Sequence, residues 1–323
     1  MKILISSNQD FKKRLDVFLL NYFENKYSRA KISSLIENNL VLVNNKIQKS
    51  SYKLKENDEI SFDIEFVNSF LNPDLSLKPW DFRLDIRYED DDILIINKPK
   101  EMLTHPTKFD REHTLANALL YHCKDNLSDL FGEDRKGIVH RLDKNTSGLM
   151  ICTKNNSSCE IISNQIKEKT LKRKYFAIAL GNFNEKEGII DKPLVHYLKD
   201  NVKMTVSENN EGLSAITHYK VIEEFLGASL VELSLKTGRT HQIRAHLASI
   251  NHPVFGDSLY GAKSFMRNEF YNLKTIEQLL QSYYISFIHP KTKEEMTFQL
   301  EEKDFSLDFI KVLNFLRRSK NND

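Results

Sequence analysis

A polar loop between two apolar runs holds the residues best suited to chemistry in this chain. Residues 137–154 read Gly-Ile-Val-His-Arg-Leu-Asp-Lys-Asn-Thr-Ser-Gly-Leu-Met-Ile-Cys-Thr-Lys, with one carboxylate, Asp143, between Arg141 and Lys144. Nearby positive charge favours the ionised form of a carboxyl group. A positioned carboxylate can serve as a nucleophile or a general base, or it can bind a metal ion. The alternative interpretation is an Asx-type turn that carries solvated charges.

Two further polar clusters follow along the chain. Lys172-Arg-Lys-Tyr begins a predicted strand, and Tyr175 lies near the start of that strand. Residues 236–246 read Lys-Thr-Gly-Arg-Thr-His-Gln-Ile-Arg-Ala-His, in which a glycine-containing turn leads into a predicted helix carrying His241 and Arg244. The histidines of these clusters, taken with Asp257, could suggest a metal site, but their dispersed spacing argues against one.

Hydrophobic periodicity predicts the elements that must position these clusters. Apolar runs predict short strands on both sides of the Asp143 loop. Apolar residues at helical spacing predict helices at residues 113–121, 159–169 and 305–316. Strands dominate the middle of the chain and helices interrupt them irregularly. This pattern predicts an α+β fold whose catalytic part is built on a largely antiparallel, mixed β-sheet with flanking helices.

The composition is that of an ordinary soluble protein. The chain has 323 residues, of which 40% are hydrophobic and 28% charged, and this length favours two domains. The sequence shows no signal peptide and no apolar run near the roughly 18 residues that a membrane span requires. The three cysteines are odd in number and lack CxxC spacing. They indicate a reducing, cytoplasmic setting, buried thiols and no zinc site.

The first part of the chain carries a concentrated positive charge. Between Lys12 and Lys55 there are ten Lys or Arg residues and three acids, a local net charge of about +7 against about −5 for the remainder. Ser28 is the predicted N-cap of a helix, and Asn44-Asn45 are predicted to form the turn of a hairpin. A small basic module of this kind is expected to present a phosphate-binding face.

Four motifs of this module have a recognisable pattern: Arg14-Leu-Asp, Ser28-Arg-Ala-Lys-Ile, Val41-Leu-Val-Asn and Lys53-Leu-Lys-x-x-Asp. On these motifs, residues 12–65 resemble the S-four-type RNA-binding domain, first described in a ribosomal protein. The resemblance implies that basic residues of the module face RNA phosphates, among them Arg29 and Lys31. The expected organisation is an RNA-binding domain at 1–66, a proline-containing linker at 67–82 and a catalytic domain at 83–323.

The three polar clusters resemble, in the same order, the signatures of pseudouridine synthases of the RluA/RluD type. Those signatures are His140-Arg-Leu-Asp-Lys-Asn-Thr-Ser-Gly-Leu, Lys172-Arg-Lys-Tyr and the run at 236–246. Asn97-Lys-Pro, Gly256-Asp-x-Leu-Tyr-Gly and His289-Pro agree with this resemblance. It spans about residues 83–305.

The resemblance implies a role for each of several residues. Asp143 matches the catalytic aspartate, which attacks the target uridine so that its glycosidic bond can shift from N1 to C5. Tyr175 matches the tyrosine that packs on the base and serves in proton removal, and Arg244 the arginine that pairs with the aspartate. Arg141 matches the side chain that helps displace the base from its stack. Further RNA-facing residues are expected at His140 and Arg239.

The function predicted from these resemblances is a cytoplasmic RNA pseudouridine synthase. Its expected partner is structured RNA, either ribosomal RNA or a large-subunit assembly intermediate. No metal, organic cofactor or membrane is expected, and the protein is expected to be a monomer. The prediction is compatible with attack of Asp143 either on the base or on the ribose C1′. One rival is a non-catalytic RNA-binding or ribosome-assembly factor on the same fold. A second rival, an Asp/His hydrolase, should show a metal cluster or a second carboxylate in the same loop.

Overall fold

The computed structural model describes residues 1–72, 75–107, 109–124, 126–197, 200–261 and 277–320, with backbone alone at 200–202. Contacts divide the chain into two compact units, Met1–Ser76 and Leu77–Asp323. The first unit has a four-stranded sheet and the second a nine-stranded sheet, both combined with helices. The predicted α+β class, with a small domain ahead of a larger one, is confirmed.

The first unit packs helices against its sheet, in which the strands lie in the order β1-β4-β2-β3. Leu15, Leu19, Ile32, Leu35 and Ile60 are fully buried in its core. The elements of the unit are β1 (Lys2–Ile5), α1 (Leu15–Tyr22), α2 (Arg29–Glu37), β2 (Leu42–Val43), β3 (Lys46–Ile47), β4 (Glu59–Phe62) and α3 (Ile64–Leu71), with a 3₁₀ turn at Asn8–Asp10.

Two local predictions for this unit are confirmed. The Ser28 hydroxyl accepts a hydrogen bond from the backbone N–H of Lys31, as an N-cap should. Asn44 and Asn45 have φ angles of 51° and 60°. Both turn residues therefore lie in the left-handed region that a tight hairpin between β2 and β3 requires.

The linker predicted at residues 67–82 is wrong at its start. Residues 64–71 form α3, whose N-cap Asp63 accepts hydrogen bonds from the backbone N–H groups of Glu65 and Phe66. Val67 and Leu71, one helical turn apart, are fully buried in the first unit. Polar residues within the helix and the proline at 73 obscure this short apolar repeat in the sequence. Residues 73 and 74 lie outside the described part of the chain.

The second unit is built on a nine-stranded sheet. Its strands lie in the order β5-β6-β7-β14-β8-β13-β12-β9, and β15 pairs with β14. The pairing is antiparallel except between β7 and β14. The sheet strands are β5 (Ile86–Glu89), β6 (Ile93–Lys98), β7 (Ser147–Thr153), β8 (Lys172–Leu180), β9 (Glu187–Asp191), β12 (Ile216–Phe225), β13 (Ala228–Leu235), β14 (Leu280–Ile288) and β15 (Glu295–Gln299).

The remaining elements flank this sheet. A separate two-stranded ribbon consists of β10 (Leu194–Tyr197) and β11 (Asp200–Val206). The helices are α4 (Leu115–Cys123), α5 (Asn156–Lys167), α6 (Gln242–Ser249) and α7 (Leu307–Lys320), with 3₁₀ turns at Glu133–Arg135 and Glu302–Asp304. Among the described residues, no helix combines the length and the apolar character needed to cross a membrane.

The central strands are buried on both faces. In β6, Leu94 and Ile96 belong to one hydrophobic cluster, while Ile93 and Ile95 belong to another. Successive side chains of a strand point to opposite faces, so the sheet separates two cores. This explains why β6 is a continuous apolar run rather than an alternating one.

The prediction of strands on both sides of the Asp143 loop is half right. The strand after the loop is β7, but Ile138 on the other side forms only an isolated bridge to Cys152. The pairing of β7 with β14 requires an unusually close approach at Gly148. A Cβ atom placed there would lie 2.0 Å from the carbonyl oxygen of Ser282. Only glycine is compatible with this contact.

Candidate active site

The loop that carries Asp143 is anchored to the rest of the second unit through backbone groups on both sides of the aspartate. Thr104 Oγ1 donates a hydrogen bond of 2.8 Å to the carbonyl of Leu142. Lys98 Nζ contacts the carbonyl oxygen of Lys144 at 3.3 Å. The N–H of Thr146 donates to the carbonyl of Asp143 itself at 3.0 Å. The aspartate is therefore held by its backbone, and its side chain is left for other contacts.

Lys98 is a fully buried lysine at the end of β6. Besides the Lys144 contact, its Nζ donates to the carbonyl oxygens of Pro99 and Met102 at 2.9 and 2.8 Å. Burial lowers the pKa of Lys98 to about 7, although the negative charge of Asp143 acts in the opposite direction. The lysine links the loop after β6 to the Asp143 loop.

Arg244, on α6, pairs with Asp143. Its Nη1 donates a hydrogen bond of 2.9 Å to Asp143 Oδ2, and the Arg244 side chain is 8% exposed. Its Nε and Nη2 donate to the two oxygens of Asp257 at 2.7 and 3.0 Å. Burial alone would lower the pKa of Arg244, but the hydrogen bonds and charge of Asp257, then those of Asp143, raise it well above its ordinary value. Arg244 is thus a permanent cation between two carboxylates.

His241 and Tyr260 complete the surroundings of this pair. His241 is the N-cap of α6, with a left-handed φ of 55°, and its Nε2 lies 3.8 Å from Asp143 Oδ2. The Tyr260 ring lies 5.1 Å from the Arg244 guanidinium. Its hydroxyl donates to the carbonyl of Met204 at 3.0 Å. The aromatic face thus packs against the cation.

Tyr175 lies in β8, two residues after Arg173 on the same face of the strand, and is 4% exposed. Its ring belongs to a hydrophobic core and also lines the cavity described below. Burial raises the pKa of Tyr175, and the Asp143 charge adds to this, while Arg173 and a hydrogen bond with Ser282 act in the opposite direction. At neutral pH the phenol therefore keeps its proton.

Asp143, Tyr175 and Arg244 share a cavity of about 540 Å³ in the second unit, a size typical of ligand sites. Asp143 is the one carboxylate among its described lining residues. Eight cationic side chains also line it, namely Arg135, Arg141, Lys167, Lys169, Arg173, Lys236, Arg239 and Arg244. The cavity is therefore strongly positive, as a site for polyanionic RNA should be.

The other residues predicted to contact RNA in this unit also line the cavity, but they differ in character. Arg141 and Arg239 are exposed. His140 is 9% exposed, and its Nε2 accepts a hydrogen bond of 3.1 Å from the N–H of Ile151. Burial, aided by the charge of Arg173, lowers the pKa of His140 to about 3. The histidine is neutral at pH 7 and supports β7 without adding a cation to the cavity.

The predicted contact residues of the first unit are both accessible. Arg29 is about half exposed, but its Nε donates to buried Asp16 at 3.0 Å, an acid that also receives two hydrogen bonds from Arg14. Lys31 lies over the ring of Tyr27 at 5.4 Å. Arg29 therefore has a structural partner, whereas the contact of Lys31 leaves its charge unpaired by acid among the described residues.

Sequence reasoning did not assign Lys98 or Asp257 to the site. Both are fully buried charged residues, a class that is rare without a partner. Lys98 ends an apolar run, and Asp257 lies in the motif around Gly256. A charged residue next to a segment predicted to be buried was therefore the signal by which the sequence could have identified them. Asp257 is a second carboxylate near Asp143, although in a different loop.

The fold also assembles possible metal ligands that dispersed spacing hides in the sequence. Among the residues that the structure describes, two groups have ligand atoms within 4.8 Å of one another: Glu89 with His122 and Cys123, and Asp90 with Asp92 and His289. None of these residues lines the Asp143 cavity. Internal partners already hold several of them. Glu89, for example, pairs with both His122 and Lys154. All three cysteines are free and buried, as predicted.

Comparison with known proteins identifies the family of each part of the chain. The family described as RNA pseudouridylate synthase matches residues 92–249, and the S-four domain matches residues 13–60. An uncharacterized RNA pseudouridine synthase of Bacillus subtilis is 37% identical over 319 residues, covering 98% of each chain. The ribosomal large subunit pseudouridine synthase D of Zymomonas mobilis is 35% identical, covering 85% of this chain and 86% of its own length.

A solved structure shows the same fold. Human RNA pseudouridylate synthase domain containing 4 superposes with a TM-score of 0.55 at 24% identity, covering 72% of this chain and 92% of that one. The identity and coverage of the bacterial relatives establish membership directly. The chain belongs to the RNA pseudouridine synthase family, with an N-terminal S-four domain, and is an isomerase that converts uridine in RNA to pseudouridine.

Proposed function

We propose that Asp143 is the nucleophile of this enzyme and that Arg244 and Tyr175 assist it. The observation that carries the proposal is the position of a single carboxylate in a cavity lined by eight cations, with its Oδ2 2.9 Å from Arg244 Nη1. The hydrogen bond leaves Oδ1 without a contact to Arg244. An oriented carboxylate of this kind can attack an electrophilic carbon.

The reaction balances without an oxidant or reductant. The bond between uracil N1 and ribose C1′ breaks, the base turns, and a bond forms between C5 and C1′. C5 then loses a proton and N1 gains one, so substrate and product have the same composition. Attack by Asp143 on either C1′ or the base fits this sequence. Tyr175 lines the same cavity and is the group proposed to accept the C5 proton; because burial raises its pKa, it would do so through the small fraction that is phenolate.

We propose that the substrate is a uridine of large-subunit ribosomal RNA. Support comes from several relatives that are called ribosomal large subunit pseudouridine synthase D and are 34 to 35% identical to this chain. Such a base must leave its helix to reach Asp143, at a cost of about a few kcal/mol. Exposed Arg141 at the cavity is the side chain proposed to take its place. Ribosomal RNA as the substrate would place the enzyme in the cytoplasm.

The alternative is an RNA-binding assembly factor on the same fold. It predicts that the protein binds ribosomal RNA but leaves no chemical change. Retention of a buried, doubly paired Arg244 beside Asp143 favours the enzyme, because binding alone does not require this arrangement of charges.

The experiment is pseudouridine mapping of large-subunit RNA from cells that contain the native protein, Asp143→Asn, or none. One or more sites should be lost in the deletion, restored by the native protein and not by Asp143→Asn. Glu223→Gln, which alters an acid paired with Arg317 outside the cavity, is the control and should restore them. Restoration by Asp143→Asn would refute the nucleophile, and an unchanged map in the deletion would refute the substrate.

A further inference from the structure

Arg173 is a buried cation that forms no ion pair with the acidic residues that the structure describes. It lies in β8 and is 7% exposed. Its Nε is buried and has no hydrogen-bond acceptor among the residues that the structure describes. The other deeply buried arginine of the cavity, Arg244, has two carboxylates. A buried charge without compensation is costly, so such a residue points to a ligand that supplies the missing charge.

The surroundings of Arg173 direct its guanidinium into the cavity. Arg173 and Tyr175 are two residues apart on one strand and therefore share a face, and both line the cavity. Gly238, in the turn before α6, covers the guanidinium with bare backbone. A Cβ atom built at Gly238 would lie 3.2 Å from Nη1 and 3.3 Å from Nη2 of Arg173. Glycine at this position leaves room for the guanidinium.

The cavity offers no internal anion for Arg173. Its one described carboxylate, Asp143, is engaged with Arg244 at 2.9 Å. Lys167, at the end of α5, and Lys169, just beyond it, line the same cavity and add positive charge. A uracil ring is neutral and cannot compensate this charge. A phosphodiester can, because a guanidinium matches two phosphate oxygens with two parallel hydrogen bonds.

We propose that Arg173 binds a backbone phosphate of the nucleotide that is being isomerised. The phosphate is the one adjacent to the target uridine, so Arg173 positions the flipped nucleotide by its backbone while Asp143 and Tyr175 act on the sugar and base. This assignment rests on the proposed function, in that the cavity is taken as the uridine site. It distinguishes Arg173 from the exposed cations, which neutralise the RNA without fixing one nucleotide.

The first test uses Arg173→Gln in the Asp143→Asn background, so that turnover does not affect binding. Binding of transcribed large-subunit ribosomal RNA is measured over a salt series. Loss of one phosphate contact should reduce the log–log salt slope by about 0.7 to 0.9 and weaken binding about 10- to 100-fold. Lys174→Gln is the matched control, because it removes a charge from the opposite face of β8, where Lys174 pairs with Glu232. An unchanged slope in Arg173→Gln would refute the proposal.

The second test uses uridine 3′,5′-bisphosphate and uridine as probes, measured by titration calorimetry at millimolar concentration. The native protein and Lys174→Gln should prefer the bisphosphate, whereas Arg173→Gln should lose this preference and bind uridine as before. An equal loss of affinity for both probes would indicate that Arg173 contacts the nucleoside and would refute the phosphate contact. These binding results do not depend on Asp143, so failure of Asp143 as nucleophile would be recognised separately by activity of Asp143→Asn.

A thermal measurement separates this role from a structural one. Because Arg173 lacks a partner in the free protein, Arg173→Gln should unfold at the same temperature as the native protein or higher. Arg173→Lys keeps the positive charge and should therefore retain most of the salt slope. Its single-turnover rate should fall, since an ammonium group lacks the planar fork of a guanidinium. A large fall in unfolding temperature for Arg173→Gln, with unaltered RNA binding, would show that the residue only supports the fold.

Discussion

Asp257 fixes the orientation of Arg244 by accepting two of its hydrogen bonds, of 2.7 and 3.0 Å, and so leaves Nη1 to reach Asp143. Asp257 is fully buried and does not line the cavity. Any effect of Asp257 on the reaction should therefore pass through Arg244 and not through contact with RNA. The contacts of Asp143 thus form a chain of three side chains, Asp143–Arg244–Asp257, rather than an isolated ion pair.

Asp257→Asn should lower turnover without removing the nucleophile. The amide keeps the shape but cannot accept with both ends, so Arg244 should rotate away from Asp143. Misplacement by about 1 Å can cost on the order of 10²-fold in rate, and we expect a fall of that size in the single-turnover rate at saturating RNA. Glu223→Gln, which perturbs another arginine pair, should leave the rate unchanged. A native rate in Asp257→Asn would mean that Arg244 needs no support.

Tyr175→Phe should keep the ring in the core and remove only the hydroxyl. Proton transfer by a positioned group is typically worth ~10²–10⁴-fold, so the single-turnover rate should fall within this range while RNA affinity stays near the native value. Tyr219→Phe, whose ring lies on the edge of the same core, is the control. An unaltered rate would leave Tyr175 as a packing residue.

The single-turnover rates of the native protein and of Tyr175→Phe should depend differently on pH. Burial raises the pKa of Tyr175, so at neutral pH only a small fraction is phenolate. If the phenolate accepts the proton from C5, the native rate should increase with pH up to the raised pKa, and Tyr175→Phe should lose this increase. The rate is measured on one short RNA from pH 6 to 9. A parallel increase in both proteins would assign proton removal to another group.

Lys98 should make the stability of the second unit depend on pH. Its pKa is about 7 in the folded protein and 10.5 in the reference state. Below pH 7 both states hold the proton and no dependence arises. Between pH 7 and 10.5 the unfolded chain holds a proton that the folded chain has lost, so the free energy of unfolding rises with pH. The contribution of this group approaches about 1.4 kcal/mol per pH unit.

The measurement compares native protein with Lys98→Met in urea at pH 6, 8 and 9. Trp80, the one tryptophan of the chain, packs against a core of the second unit and provides the fluorescence signal for that unit. The free energy of unfolding of the native protein minus that of Lys98→Met should increase as the pH rises. Lys172→Met, at an exposed position of β8, should show no such trend. A pH-independent difference for Lys98→Met would contradict the shifted pKa.

If the first unit binds RNA and the second unit carries out the reaction, a chain without Met1–Ser76 should bind RNA more weakly but remain able to convert it. The boundary follows the contacts of the folded chain and keeps the hydrophobic cores of the second unit complete. RNA affinity should fall, and the salt slope should decrease by about 0.7–0.9 for each lost phosphate contact. A short RNA at high concentration should still be converted. An unchanged salt slope would mean that the basic unit does not touch RNA.

Lys31→Gln tests RNA contact by the first unit through a single side chain. It is more specific than Arg29→Gln. Arg29 pairs with buried Asp16, so its loss would disturb the fold as well as any RNA contact. The side chain of Lys31 lies over the Tyr27 ring and has no ion pair among the described residues. We expect Lys31→Gln to weaken RNA binding in low salt with no change in unfolding temperature.

Local chemistry was predictable from the sequence wherever a residue acts on its own neighbours. Ser28 caps its helix and Asn44 turns its hairpin because both effects reach only a few residues along the chain. The motifs around Asp143 and Arg244 could be recognised, and the fold brings these residues together. The Arg244–Asp257 pair was not predicted, because no spacing rule relates a helix residue to a carboxylate in a later loop. Helix α3 was missed because it is only eight residues long and a proline follows it at 73, so its apolar repeat at Ile64, Val67 and Leu71 does not stand out in the sequence.

The close approach at Gly148 has a consequence for the order in which the enzyme becomes complete. Strand β14 lies between β7, which follows the Asp143 loop, and β8, which carries Tyr175. The elements that carry Asp143 and Tyr175 are therefore spaced by a strand that begins more than a hundred residues after Tyr175, at Leu280. A nascent chain that ends before β14 contains every side chain of the proposed catalytic set, but the strand that spaces them is absent. Pairing over so long a stretch is slow, and activity should arise only after β14 has left the ribosome, the particle whose RNA we propose as the substrate.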